Sequence, residues 1–212
     1  MATDLIEIDQ DQPSVEAIER AAIAVRRGHI VAIPTDSLYT LVVDPFNLHA
    51  VGRVFAAKGR EADRSLPMLV ADMMMAEELV RELPARFHLL ARKFWPGPLT
   101  IIVEASAKVP LKVTGNTGRL GLRQSRSRVA QATIDWLGQP LISTSANVSG
   151  MPTCRSGIEV FGTMDGRVDL VLDGGACVGT GATTVDITEP YWKVIREGSI
   201  RGKEIADWLK GS

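Results

Sequence analysis

Short apolar, β-branched runs alternate with amphipathic helical segments along most of the chain, and this alternation constrains the fold more than any other feature. Runs typical of buried strands include "HIVAI" (29–33), "LPMLV" (66–70) and "LTIIVE" (99–104). Segments with apolar residues at helical spacing include 14–27, 48–58 and 127–137. Strands that alternate with helices predict an α/β domain in which helices cover a sheet.

The connections along the chain predict a mixed sheet in one domain. The strand-like segments 183–188 and 192–197 are joined by a link too short for a crossover helix. A length of 212 residues fits a single hydrophobic core. We therefore expect a single domain over residues 1–212, with its motifs in about 14–198, and a twisted sheet of about seven strands flanked by about six helices.

The composition argues against several functional classes. A net charge of −1 gives no general attraction to nucleic acid, although a local basic patch is compatible with it. Cys154 and Cys177 lack metal-ligand spacing and the three histidines are scattered, so no protein-held metal site is predicted. The start "MATDLIEIDQ" has neither the apolar run of a signal peptide nor that of a membrane span, and we expect a cytoplasmic protein.

Two clusters of cations could bind an anion or could simply face water. Lys58, Arg60 and Arg64 follow a predicted helix, whose negative C-terminal end favours cations without any ligand. The alternative is an anion site in which Lys58 and Arg60 hold one phosphate group. In the predicted strand 118–123, Arg119 and Arg123 share a face, which could be a solvated edge, the basic wall of a pocket or a patch that faces RNA.

Two polar segments directly follow predicted strands. "PTDS" (34–37) and "STSANVSG" (143–150) each place hydroxyl or amide groups at a strand end, where α/β folds often bind ligands. Both segments could equally be turns whose side chains bond their own backbone. A P-loop motif is absent, so a nucleotide bound by this chain would need another kind of site.

These segments together resemble one family, the YrdC-type threonylcarbamoyl-AMP synthases in their short form without an additional C-terminal domain. The matching stretches span residues 33–198 in the family's order and are "IPTDSLYTL", "KGR", "WPGPLTIIV", "GLR", "ISTSANVSG", "LVLDGG", "TTVDIT" and "VIREG". The combination of "KGR" with a downstream "STSANVSG" is the most specific part of the match.

The resemblance implies a nucleotidyltransferase that makes threonylcarbamoyl-AMP and pyrophosphate from L-threonine, bicarbonate or CO2, and ATP with Mg²⁺. Other proteins would then transfer the threonylcarbamoyl group to tRNA, and the chain itself could contact tRNA or double-stranded RNA. The chemistry needs no protein nucleophile, so catalysis would rest on positioning and charge neutralisation.

The resemblance also implies roles for individual residues. The family's catalytic tetrad corresponds to Lys58, Arg60, Ser145 and Asn147. ATP would be bound by the same four residues together with Ser143 and Arg196, and threonine by Thr35, Arg123 and Thr183. We expect the tetrad to line one open, electropositive cavity, and a Lys58 that faces this cavity to contribute little to packing.

Five positions depart from the family pattern, mostly on the threonine side. Thr40 stands where the family has glycine, Glu61 where it has proline, and Ser125 where it has proline. Ala71 and Asp72 occupy the place where a histidine often follows the strand. These changes keep two alternatives open: a YciO-like paralogue with weak or no synthase activity, and a nucleotide- or RNA-binding module without catalysis.

Overall fold

The computed structural model describes residues 2–60 and 64–211. The strands are β1 Asp4–Glu7, β2 Val31–Ile33, β3 Thr40–Val43, β4 Met68–Leu69, β5 Leu99–Glu104, β6 Arg119–Arg123, β7 Leu141–Ser145, β8 Leu170–Asp173, β9 Thr183–Asp186 and β10 Lys193–Arg196. The helices are α1 Val15–Arg26, α2 Leu48–Lys58, α3 Met73–Leu79, α4 Ala85–Phe94, α5 Leu111–Thr114, α6 Arg128–Leu137, α7 Gly157–Met164 and α8 Gly202–Lys210.

The described strands form one mixed sheet in the order β1-β8-β2-β3-β7-β4-β6-β5-β9-β10. Four neighbouring pairs are parallel, including β1 with β8 and β5 with β9, and the others are antiparallel. The predicted α/β class and mixed sheet are therefore confirmed. The predicted number of about seven strands is wrong, because the sheet has ten. The strand β1 was not predicted, because it is a largely exposed segment with an acid at each end, whereas the two-residue β4 lies within the predicted run 66–70.

Alternate residues of the central strands pack into two hydrophobic layers, one on each face of the sheet. In β3, Leu41 and Val43 belong to the larger core, which includes residues of α2, α4, α7 and α8. Val42 points to the opposite face and packs with residues of α1 and α6. The helices α1 and α6 pack against each other on this second face.

Helix ends occur where the sequence supplies capping groups. Ser14 caps α1 by accepting a hydrogen bond from the Ala17 amide, and Asn47 does the same for α2 at Ala50. Gly59 ends α2 in the left-handed conformation (φ 59°), which only glycine adopts without steric cost. Because α2 ends at Lys58, this side chain and the following Arg60 lie beside the end of β7.

The predicted helices are all present, and the structure adds α5 and α7. The start of α7 contains Gly157, and the helix has β-branched and glycine residues of low helix propensity, which explains why its pattern was not recognised. Within the described part of the chain, no helix is both long and apolar enough to cross a membrane.

Candidate functional site

A cavity of about 390 Å³ opens on the face of the sheet that carries α1 and α6. Its volume lies in the range of small-molecule sites. Side chains of β3, β5, β6, β7 and β9 share this face and contribute Thr40, Thr100, Arg123, Ser145 and Thr184 to the wall. The cavity therefore lies on the part of this sheet face where side chains with hydroxyl or cationic groups take the place of apolar core side chains.

The wall is positively charged. Arg60, Arg64, Arg123 and Arg196 line the cavity, and the part of its wall formed by the described residues has no carboxylate. Backbone groups and hydroxyls provide most of the remaining polar surface. Such a wall suits ligands with several negative charges.

Lys58 is buried and organises the turn after β7. It is only 3% exposed, and its Nζ donates to the carbonyl oxygens of Ser145 (2.5 Å) and Asn147 (3.0 Å) and to Asn147 Oδ1 (2.8 Å). A longer contact reaches Ser145 Oγ (3.3 Å). Burial, followed by the charge of Arg60, lowers the pKa of Lys58 to about 8.

The predicted tetrad therefore comes together, but its members do not all face the cavity. Arg60 and Ser145 line the wall, whereas Lys58 and Asn147 bond to Ser145 without being part of the wall. This corrects the expectation of a pocket-facing Lys58 with little structural role, because its ammonium holds two backbone carbonyls.

Ser145 has its proton engaged inside this network. Its Oγ donates to Asn147 Oδ1 (2.6 Å) and accepts from Lys58, while Asn147 Nδ2 donates to the Met151 carbonyl oxygen (2.5 Å). A hydroxyl has one proton, so Ser145 can offer the cavity only an acceptor lone pair in this arrangement.

Arg123 is fixed by three partners and retains donors for a ligand. Its Nε donates to the Gly97 carbonyl oxygen (3.0 Å), Nη1 to Ser37 Oγ (3.0 Å) and Nη2 to Asp36 Oδ1 (2.6 Å). A guanidinium has five N–H groups, so two have no partner among the described residues. Burial lowers the pKa of Arg123, and the nearby Asp36 carboxylate opposes this shift.

Ser125, a departure from the family pattern, takes part in this ion pair. Asp36 Oδ1 accepts from the Ser125 hydroxyl and from the Arg126 amide (3.2 Å) as well as from Arg123. The other oxygen, Asp36 Oδ2, is buried with no partner in the described part of the chain. The serine therefore adds a donor to the carboxylate that holds Arg123.

The remaining predicted contacts fall in three different settings. Thr35 lines the cavity, and its hydroxyl donates to the Leu38 carbonyl oxygen (2.6 Å). Arg196 lines it too, and two of its nitrogens donate to the Ala182 carbonyl oxygen (3.2 and 3.0 Å). Thr183 is 0% exposed, and its hydroxyl donates to the Ile200 carbonyl oxygen (2.6 Å), so the neighbouring Thr184 occupies the wall instead.

Arg119 and Thr40, whose roles the sequence left open, differ in their position relative to the cavity. Arg119, the first residue of β6, forms ion pairs with Asp186 (3.3 Å) and Glu189 (2.6 Å) and does not line the cavity. Thr40 does reach the cavity, where its Oγ1 lies 2.8 Å from Ser143 Oγ. Glu61 lies outside the described residues.

Several wall residues were not predicted as ligand contacts. They include Arg64, Ser65, Thr100, Thr153, Thr184 and Ile195. Arg64 belongs to a cation cluster, and Thr100, Thr184 and Ile195 lie within the matching stretches, but no sequence pattern shows that these side chains reach a ligand. Alternation along β5 and β9 brings Thr100 and Thr184 to the cavity.

Comparisons with known proteins agree with the resemblance found in the motifs. The family model for Sua5, YciO and YrdC, described as "Telomere recombination", matches residues 23–198. The threonylcarbamoyl-AMP synthase of Pyrococcus abyssi is 35% identical over 189 residues, which make up 89% of this chain and 56% of that protein. The chain therefore spans little more than half the length of this curated relative.

Two solved structures are similar over nearly the whole chain. The crystal structure of P. abyssi Sua5 complexed with L-threonine has a TM-score of 0.94 at 33% identity, and the match covers 98% of this chain and 61% of that one. The crystal structure of Escherichia coli YciO has a TM-score of 0.88 at 25% identity, and the match covers 96% and 99% of the two chains.

Proposed function

The chain belongs to the Sua5/YciO/YrdC family, and from this premise we propose that it is a threonylcarbamoyl-AMP synthase. As a nucleotidyltransferase it converts L-threonine, bicarbonate or CO2, and ATP into threonylcarbamoyl-AMP and pyrophosphate. The activity is a proposal for this chain because the P. abyssi synthase is considerably longer.

The observation that carries the proposal is the charge of the cavity wall. Four arginines line it, and its described residues include no carboxylate. ATP, bicarbonate and the carboxylate of threonine are all anions, so one electropositive cavity can attract all three. A cavity for a neutral or cationic ligand would not need this concentration of guanidinium groups.

Arg123 is the best candidate for holding the carboxylate of threonine. Its two remaining N–H groups can form charge-assisted hydrogen bonds with a carboxylate, and its three existing partners keep the guanidinium in place. Thr35 and Ser37 belong to the same local network and lie in the same wall. The role of Thr183 would be indirect, through the loop that its hydroxyl fixes.

The tetrad, together with Arg64 and Arg196, would act on the nucleotide. The three arginines Arg60, Arg64 and Arg196 line the wall and would neutralise phosphate charge, while Lys58 and Asn147 hold Ser145 in its position in the wall. The neutral amine of threonine attacks CO2 and loses a proton, which gives a carbamate. A carbamate oxygen then attacks the α-phosphorus of ATP, and the bond to the bridging oxygen breaks as pyrophosphate leaves. The arginines stabilise the charge that develops in this step.

Mg²⁺ fits this site as a companion of the nucleotide. Among the described residues no cluster of three or more histidine, cysteine, aspartate or glutamate side chains could hold a metal ion. Mg²⁺ commonly binds through substrate phosphates and water with few protein ligands, so we propose that it arrives with ATP. When bound, it would neutralise phosphate charge and favour departure of pyrophosphate.

The test is pyrophosphate release from ATP with each amino acid in turn. We expect release only when threonine, bicarbonate, ATP and Mg²⁺ are all supplied. Binding of ATP without release under these conditions would favour the second candidate function.

That second candidate is a YciO-like paralogue with weak or no synthase activity. It is favoured by the match to E. coli YciO, which covers 99% of that chain and 96% of this one. Thr40 and Ser125, which depart from the synthase pattern, both lie in hydrogen-bond networks at or beside the cavity.

The partners further along the pathway follow from the proposed product. A threonylcarbamoyl-adenylate is a reactive mixed anhydride, so a separate protein that transfers the group to tRNA must consume it. Direct contact of this chain with tRNA or double-stranded RNA is a weaker proposal, because the net charge is only −1 and any RNA surface would have to be local.

A further inference from the structure

Two hydroxyls on neighbouring strands meet at the cavity wall. Thr40, the first residue of β3, is 5% exposed and lies opposite Ser145 in the register of β3 with β7. Its Oγ1 is 2.8 Å from Ser143 Oγ and 2.9 Å from the Thr144 carbonyl oxygen. Thr40 and Ser143 both line the cavity.

The number of protons in this pair fixes the direction of both hydrogen bonds. A carbonyl oxygen only accepts, so the single proton of Thr40 goes to Thr144. The short contact between the two hydroxyls then needs the proton of Ser143, which must donate to Thr40. The reverse assignment would leave two oxygens 2.9 Å apart with no proton between them.

We propose that Thr40 determines specificity by making Ser143 an acceptor-only group toward the ligand. The ligand atom that meets Ser143 must then carry a proton, as a hydroxyl or an ammonium group does. An oxygen of a phosphate or a carboxylate, which has no proton at neutral pH, is disfavoured there. A serine beside a residue without a hydroxyl could turn its proton toward such an oxygen.

The inference deepens the proposed function and rests on it for the identity of the ligands. In ATP the proton-bearing groups are the ribose hydroxyls and the amino group of adenine. In threonine they are the ammonium group and the side-chain hydroxyl. The chemistry required of the ligand is the same in both cases, and the choice between them is a matter for experiment.

The experiment compares ligands in which one hydroxyl is replaced by hydrogen or by fluorine, with affinities measured by calorimetry. For ATP these are the 2′- and 3′-deoxy and fluoro-deoxy analogues, and for threonine they are 2-aminobutyrate and its 3-fluoro derivative. In the wild-type chain we expect that replacing one of these ligand hydroxyls by hydrogen lowers the affinity about fivefold or more. The matching fluorine analogue should bind no better than the hydrogen analogue, because fluorine has no proton to give to Ser143.

Thr40→Val removes the hydroxyl and keeps the shape, which frees the proton of Ser143. We expect the order to reverse in this variant, with the fluorine analogue binding better than the hydrogen analogue. Thr40→Ser is the matched control, since it retains the hydroxyl and should keep the wild-type order. Any effect of fluorine on the ligand's own conformation is common to all variants and cancels in the comparison.

Three results would overturn the proposal. One is a wild-type chain that binds every analogue as well as its parent, including 3-hydroxybutyrate, which lacks the ammonium group of threonine, and purine riboside triphosphate, which lacks the amino group of adenine. Another is an unchanged order of analogues in Thr40→Val. If that variant does not fold, Ser143→Ala decides the question, because it must reduce the hydroxyl preference to less than about twofold.

Calorimetry requires no turnover. A chain that binds these ligands with the expected order but makes no threonylcarbamoyl-AMP would refute the proposed function and leave the role of Thr40 intact.

Discussion

Replacement of Arg123 should separate the binding of threonine from the binding of ATP. In Arg123→Ala the two N–H groups that face no described partner are lost, together with the charge behind them. Hydrogen bonds from a charged donor to a carboxylate contribute about 2–3 kcal/mol in such a setting, which corresponds to a decrease of about 30- to 150-fold in affinity. ATP affinity should change much less, because Arg60, Arg64 and Arg196 remain in the wall.

The same substitution should lower the free energy of unfolding. The Asp36 side chain is 14% exposed and lies 2.6 Å from Arg123, so alanine leaves a largely buried carboxylate without its cation. Breaking one side of a buried pair costs about 3–5 kcal/mol. The loss of stability alone could therefore be mistaken for a loss of binding unless a control separates the two.

Asp36→Asn is that control. It breaks the same ion pair and should also destabilise the chain, but it leaves the Arg123 guanidinium and its two available N–H groups. We expect threonine affinity to be kept or increased, because a ligand carboxylate would replace the missing charge. Calorimetry at a temperature where urea titration shows each variant folded would check both effects.

Two results would refute this reasoning. Equal losses of threonine and ATP affinity in Arg123→Ala would mean that Arg123 is not specific to the threonine side. A loss of threonine affinity in Asp36→Asn as large as in Arg123→Ala would mean that the ion pair, and not the available donors, determines binding.

Three further predictions concern pH, packing and RNA. Because burial lowers the pKa of Lys58 to about 8, kcat/KM should fall above about pH 8, and Lys58→Arg should lack this limb because a guanidinium stays protonated. In the unfolded chain Lys58 keeps its proton up to the ordinary pKa of 10.5. The free energy of unfolding should therefore rise with pH between about 8 and 10.5, while activity falls. A parallel fall of stability and activity would contradict the assignment of this limb to Lys58. Gly179→Ala should cost about 1–3 kcal/mol of stability and weaken threonine binding, since the new Cβ would lie 2.4 Å from the Ser37 carbonyl oxygen. The control is Gly162→Ala, whose Cβ would have nothing within 4 Å and which should be neutral or stabilising in a urea titration. Any RNA affinity should decrease steeply with salt in a filter-binding assay, and binding that persists at high salt would show that phosphate contacts are not its basis.

The sequence was most informative where local chemistry decides the structure. The end of α2 near Lys58 followed from the helical pattern, and a strand at Leu141 followed from a short apolar run, although the structure extends this strand through Ser145. The strand β1 could not be found in this way, because its stability comes from parallel pairing with β8, about 165 residues away, and not from its own mostly exposed side chains.

The wall of the site shows where sequence reasoning ends. Thr183 and Thr184 are adjacent and chemically identical, but successive residues of a strand point to opposite faces, so only Thr184 reaches the cavity. A shift of one residue in the register is invisible in the sequence and reverses this assignment. Likewise, the pattern "KGR" indicates a cationic site but does not reveal that Lys58 turns inward to hold the Ser145–Asn147 turn.

The most direct test of the account is to follow labelled carbon into the product. The chain is incubated with ¹³C-bicarbonate, L-threonine, ATP and Mg²⁺, and the nucleotide products are analysed by mass spectrometry. We predict an AMP adduct that contains both threonine and one ¹³C atom, formed together with pyrophosphate and absent when threonine is omitted. If the chain binds ATP and threonine but forms only AMP or ADP, or no nucleotide product at all, the proposed synthase activity is wrong.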